Sequence, residues 1–191
     1  MGKQDGLRFL EHWEVQRLME IPSLRSETGL RNRCIMGLMY EAGLRVGEAL
    51  ALKPRDVVIE EKRVEVLRGK GSKPRTVYFR SDDLGILLER WKEIRPASEY
   101  LFSTVRSATG KGEQLDPRGF RITFKSYVKK AGLDPNRVTP HVLRHTCATE
   151  MLRRGVNIRI IQEALGHAWV ATTQIYTHVV NEDVRRAMTC Q

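Results

Sequence analysis

The feature that most limits what this chain can fold into is a single change of hydrophobic period near residue 57. Val57-Val58-Ile59, Arg63-Val64-Glu65-Val66-Leu67 and Thr76-Val77-Tyr78-Phe79 are rich in β-branched and aromatic residues and are separated only by turn residues. Runs of this kind predict a small three-stranded antiparallel sheet. The flanking sequence carries helical spacing, and from Asp116 onward the pattern is all helical. The fold class is therefore α+β, mostly α-helical with one small three-stranded antiparallel sheet. At 191 residues, with no internal repeat or low-complexity segment, the chain reads as a single domain.

Local signals set the expected elements. Glu11 to Glu20 reads as a short amphipathic helix closed by Pro22. Ser26 to Ala42 reads as the next, with Leu30, Cys34, Ile35, Leu38 and Met39 on one stripe and Gly43 ending it. A brief helix is expected from Val46 to Leu52. Ser81 caps a helix to about Ile94, and Tyr100-Leu101-Phe102 is a buried strand or a loop anchor. Ser103 to Gln114, polar and glycine-bearing, is the expected mobile loop. Asp116-Pro117 opens a helix to about Ala131, and Thr139-Pro140 supplies an N-cap followed by proline at the first helical position. That helix is expected to end near Arg154. Asn157 caps another that stops at Gly166, and Thr172 or Thr173 caps a short segment holding Tyr176. Residues 1–8 are expected to be disordered, and 181–191 to form a C-terminal tail helix.

Charge and cysteine usage narrow the function classes. The chain has 33 Lys+Arg against 23 Asp+Glu, a formal +10 dispersed along helices and one hairpin. A positive field of that size on a folded domain favours polyanions, nucleic acid before membrane. Cys34, Cys147 and Cys190 are odd in number and far apart, which reads as free thiols in a reducing compartment. No apolar run approaches a membrane span and the N-terminus is no signal peptide. The expected location is cytoplasmic.

Several residues are candidates for chemistry. His141 and Arg144 lie three residues apart on one helical face, and His141 sits in the first turn, where free N–H groups and the helix dipole favour an anion. Arg144 adds a planar charged fork suited to two phosphate oxygens. Any isolated His-x-x-Arg is commonly a surface pair. Arg45 follows the helix-ending Gly43, and Glu48 three residues on can hold it; read locally, that is a weak i,i+3 ion pair. Lys70 sits at the tip of a glycine-flanked basic turn with Arg68, Lys73 and Arg75, which suits a hairpin entering a DNA groove. His167 follows the helix-terminating Gly166. Tyr176 reads equally as a packing residue or, in an electropositive site, as a nucleophile.

Together these strings resemble one family. Gly-Leu-Arg-Val-Gly-Glu around Arg45, Gly-Lys-Gly-Ser-Lys around Lys70, His-Val-Leu-Arg-His-Thr at 141–146, Leu-Gly-His at 165–167 and Tyr-Thr-His at 176–178 are similar in order and spacing to the tyrosine recombinase (phage integrase) family. The resemblance runs from about Phe9 to Asp183 and is nearest to Xer-type and short fimbrial-inversion-type members. It implies the DNA breaking-rejoining catalytic fold. It also implies that Tyr176 attacks the scissile phosphate, forming a 3′-phosphotyrosyl bond and releasing a 5′-hydroxyl. Arg45 and Arg144 would bind the non-bridging oxygens, with Glu48 orienting Arg45. His141 would act as base or phosphate donor, His167 as a further donor, and Lys70 as general acid for the 5′-oxygen. The bond energy stays in the phosphotyrosine, so no nucleotide, metal or other cofactor is expected. The partner is double-stranded DNA, on which the chain would work as a tetramer in a synaptic complex and from which it would return to a monomer in free solution.

The resemblance also carries departures. Members usually bear a DNA-clamping helical domain before the catalytic one, and only 44 residues precede Arg45. The chain is thus expected to be the catalytic domain alone, cut from a longer protein or belonging to a short single-domain recombinase. Trp169 stands where smaller residues are common. Two other functions stay open on sequence: a type IB topoisomerase-like relaxation of DNA, and a DNA-binding regulator of the same fold.

Overall fold

The computed structural model describes residues 8–67, 74–105 and 112–166. In chain order these form α1 (His12–Glu20), α2 (Glu27–Glu41), α3 (Val46–Ala51), a 3-10 turn (Pro54–Asp56), β1 (Val57–Val58), β2 (Arg63–Val66), β3 (Arg75–Tyr78), α4 (Asp82–Ile94), α5 (Pro117–Lys130), α6 (Pro140–Arg153) and α7 (Ile158–Leu165). The expected mix of helices and one small sheet is what forms, and element bounds agree with the sequence reading to within a residue or two.

Capping explains most of the helix starts. Ser26, Ser81, Asp116 and Asn157 each accept a hydrogen bond from a backbone N–H of the first turn that follows. Thr139 departs from expectation: it stands at the cap position of α6, but its side chain makes no capping hydrogen bond, and Pro140 alone marks the start.

Two helices form the interior. α2 buries residues around its whole circumference, including Leu30, Cys34, Ile35, Leu38 and Met39, because α1, α3, α4 and α6 pack around it. α6 is buried along most of its length, and α7 lies against both α6 and β3. The sheet order is β1-β2-β3, antiparallel throughout. Val57 faces Val64, and Val64 faces Val77; all three are buried, while Thr76 and Tyr78 point to the other, exposed face.

Tyr100-Leu101-Phe102 is a loop anchor rather than a strand. Leu101 and Phe102 are wholly buried, Trp91 Nε1 donates to the Leu101 carbonyl, and the Trp91 and Phe102 rings stack 6.4 Å apart. The segment expected to be a mobile loop is tied at both ends. Ser103 bridges Gln114, Thr104 N–H donates to Glu113 O, and Gly112 N–H donates to Thr104 O. Ser103 is wholly buried there, so its backbone needs partners, and this short antiparallel bridge supplies them. The loop tip at 106–111 lies outside the described residues. So do residues 1–7 of the expected disordered start at 1–8, the Tyr176 segment and the tail at 181–191, whereas Arg8 is described and pairs with Glu14. Among the described residues, no helix is long and apolar enough to cross a membrane.

Candidate active site

Gly43 shows how local conformation sets up the site. It follows α2 with φ of +66°, and a Cβ there would sit 2.4 Å from Leu165 Cδ2. Only glycine accepts both the left-handed backbone and the close packing. The turn aims the Gly43 carbonyl at α6, where it accepts from Arg144 Nη1 at 2.7 Å. It also delivers the chain to Arg45, the cap residue of α3.

The first turn of α3 supplies the next piece. Glu48 Oε2 accepts from the Arg45 backbone N–H at 2.8 Å, and Glu48 Oε1 accepts from Arg45 Nη1 at 2.8 Å. The expected Arg45–Glu48 pair is present, but it is no surface pair. The Glu48 side chain is 3% exposed and that of Arg45 is 27% exposed. Arg144 Nη1 stands 3.6 Å from Glu48 Oε2, and Arg144 Nη2 donates to the Leu165 carbonyl at the end of α7. Arg144 is 2% exposed. His141, one turn earlier on α6, is exposed.

Arg75 alters the sequence reading. It was expected on the DNA face of the hairpin, yet its Nη1 and Nη2 donate to Glu48 Oε1 and Oε2 at 2.9 Å each, and its Nε donates to the Ala164 carbonyl at 2.7 Å. The cause is how far back the strand extends. β3 begins at Arg75, one residue before the expected start, and Arg75 faces Val66 across the ladder. Alternation then places it on the same face as the buried Val77, pointing inward. Arg68, Lys70, Lys73, His167, Trp169 and Tyr176 lie outside the described residues.

Three guanidinium groups, from α3, β3 and α6, thus converge on one buried carboxylate. Burial alone would push the Glu48 carboxyl up. The hydrogen bonds from Arg75, the Arg45 backbone N–H and the charges of Arg75 and Arg144 outweigh it and hold the group at about 2. His141 keeps an exposed edge, but partial desolvation lowers it, and Arg121, Arg144 and Arg45 lower it further, which favours a neutral imidazole near the cluster. Burial likewise brings His145 down to about 4, with His141 and Arg144 adding to it. Burial, with Arg45 second, brings Arg144 down to about 9 against the pull of Glu48, so it stays charged at neutral pH. Cations outnumber the carboxylate at this centre, and a phosphate-like anion fits it.

The depressed Glu48 value has a measurable consequence. Its ordinary value is 4.5 and its folded value is about 2. The unfolded chain therefore takes up the proton first as pH falls. The stabilisation is fully present above about pH 4.5 and is lost as pH drops towards 2, and it amounts to about 3 kcal/mol. A Glu48→Gln variant should start less stable at pH 7 and lose less further stability across that window. Thermal melts at stepped pH would show it; parallel curves for the two proteins would contradict the assignment.

One basic surface escaped the sequence reading. Arg118, Arg121, Lys125 and Lys129 are exposed on α5 at spacings of three and four residues, so they form one stripe. Arg121 and Lys125 share with His141 the lining of a hollow of about 410 Å³ between α5 and the start of α6. The signal was present in the 3-4-4 spacing of cations along a helix already expected over these residues.

Comparison with known proteins agrees with this architecture. The tyrosine recombinase XerA of Pyrococcus horikoshii is 43% identical over 92% of this chain, and XerD of Ralstonia nicotianae is 37% identical over 93% of it. The chain spans 58% of the length of each of these curated relatives. A crystal structure of XerA recombinase superimposes with a TM-score of 0.79 at 35% identity, covering 96% of this chain and 66% of the other. A XerH site-specific recombinase bound to difH substrate in a post-cleavage complex superimposes with a TM-score of 0.77 at 28% identity, covering 96% and 53%. The sequence profile described as the phage integrase family matches residues 8–183, and with the same fold beneath that match the chain belongs to this family.

Proposed function

We propose that this chain is the catalytic part of a site-specific tyrosine recombinase that cleaves and rejoins double-stranded DNA through a 3′-phosphotyrosyl intermediate. The observation that carries the reading is the convergence of Arg45, Arg75 and Arg144 on the buried Glu48, with His141 exposed beside them. The XerH structure, a relative, is titled as bound to its difH DNA substrate, which supports the same partner here.

In this reading Tyr176 attacks the scissile phosphate and Lys70 protonates the departing 5′-oxygen. Arg45 and Arg144 hold the non-bridging oxygens as charge builds in the pentacoordinate transition state. Glu48 keeps Arg45 in place. His141, held neutral, accepts a proton from the attacking phenol or donates to the phosphate, and His167 adds a hydrogen bond. Strand exchange takes place in a tetramer on DNA, the free protein being a monomer, and the setting is the cytoplasm.

The test is covalent capture. A randomised pool of nicked duplexes is incubated with the protein, denatured, and searched for DNA attached to Tyr176. Recovery of a defined duplex carrying a 3′-phosphotyrosine supports the reading, and absence of any adduct from every duplex overturns it.

The α5 stripe gives a separate prediction. Arg121→Ala and Lys125→Ala should each weaken binding to the recovered duplex and lower the salt slope by about one unit, as loss of one phosphate contact does. A filter-binding titration across salt concentrations measures this. Unchanged slopes would remove α5 from the DNA-facing surface.

A further inference from the structure

Arg75 has no part in the chemistry just described, yet it is built into the centre of the cluster. Its side chain is 8% exposed, and its fork spans the two oxygens of Glu48 while Nε holds the Ala164 carbonyl. Those two partners define where the phosphate-binding arginines sit. Glu48 Oε1 receives Arg45 Nη1, and the end of α7, through the Leu165 carbonyl, receives Arg144 Nη2.

We propose that Arg75 is a positioning residue for the phosphoryl chemistry, acting through Glu48 and the end of α7 to hold Arg45 and Arg144 in register, and that it does not contact DNA. This rests on the recombinase reading of the site. Arg45 holds Glu48 from one side only, its side chain on Oε1 and its backbone N–H on Oε2. A planar bidentate fork fixes the carboxylate plane, and so fixes the direction from which Oε1 meets Arg45. Without Arg75, Oε2 keeps the Arg45 backbone N–H and loses its cationic partner, and the guanidinium next in reach is Arg144, 3.6 Å away. Closing that gap draws Nη1 off the Gly43 carbonyl, where it sits at 2.7 Å. Arg75 therefore satisfies Glu48 and keeps Arg144 in its seat. A lysine at this position restores charge but not the fork, and cannot hold both Glu48 oxygens and Ala164 at once.

Arg75→Met, Arg75→Lys, Glu48→Gln and the Arg75→Met/Glu48→Gln double variant would be compared on the covalently recovered duplex. Single-turnover cleavage separates the rate constant from the amplitude, which reports the folded fraction. Arg75→Met should slow the rate constant by on the order of 10²-fold, the effect of misplacing a transition-state contact by about an ångström. Arg75→Lys should recover part of it. DNA affinity and its salt slope should match the parent. In the Glu48→Gln background the same change should have little further effect, because the two residues act as one unit.

A salt slope reduced by about one unit would make Arg75 a phosphate contact and overturn the proposal. So would a full loss in both backgrounds, or a loss of amplitude at unchanged rate. A readout independent of DNA is the carboxyl titration of Glu48 followed by carbon-13 NMR. The charged groups facing Glu48 are Arg45 on α3, Arg75 on β3 and Arg144 on α6, with Asp56 across a small hollow. Arg75→Met should move that titration upward; an unmoved titration overturns the proposal even if the parent protein forms no adduct. Failure of the parent to form any adduct, with the titration moved, would strike the recombinase reading instead.

Discussion

Tyr176→Phe should bind DNA with the parent's affinity and form no denaturation-resistant adduct with it. The substitution removes one oxygen and leaves every guanidinium of the Arg45–Arg75–Arg144 cluster in place. Affinity for the backbone is carried by cations and their released counterions, so it should survive. Chemistry should not, because on the proposed reading the attacking oxygen is gone. A phenol with an ordinary value near 10 needs a cationic neighbourhood to react at neutral pH. Three arginines gathered on one carboxylate are a source of that field. Adduct formation by Tyr176→Phe, seen as protein-linked DNA after denaturation, would move the nucleophile to another residue and break the central claim.

Lys70→Ala should slow cleavage by about 10²–10⁴-fold, the range for removal of a positioned proton donor. The defect should vanish on a duplex with sulfur replacing the bridging 5′-oxygen, since a thiolate leaves without a proton. Tyr176→Phe should gain nothing from that substrate. The contrast separates the two roles on one gel, with cleavage of oxygen and sulfur duplexes run side by side. If sulfur leaves Lys70→Ala as slow as before, the lysine is a DNA contact and the proton comes from elsewhere.

Much of the fold could be read from short stretches of sequence, because the signals are local. Ser26, Ser81, Asp116 and Asn157 cap the helices that they announce, and the apolar stripe of α2 is buried, together with the rest of that helix's middle. Proline at the start of α6 places His141 and Arg144 on the first two turns of one helix from the sequence alone. What local pattern could not supply was the exact start of β3. A strand that reaches back to Arg75 puts it on the inward side with Val77 by alternation, whereas a strand starting at Thr76 leaves Arg75 in the turn with no face assigned. The basic stripe on α5 was legible and overlooked, since its cations gain meaning only beside His141, which follows on another helix.

The sequence by itself determined the class of fold, the family resemblance and the two local pairs, Arg45 with Glu48 and His141 with Arg144. Each of these depends on residues a few positions apart, where helix geometry alone sets the distance. Tertiary structure decided which cations share the Glu48 carboxylate. Arg75 lies 27 residues from it in sequence, and Arg144 reaches across 101 residues to Gly43 and 21 to Leu165. A local pattern records that a side chain is charged, but not which of many charges it will meet. That choice follows from burial, which leaves an ionised carboxylate no solvent to turn to and so makes the packing of β3 and α6 against the start of α3 supply its partners.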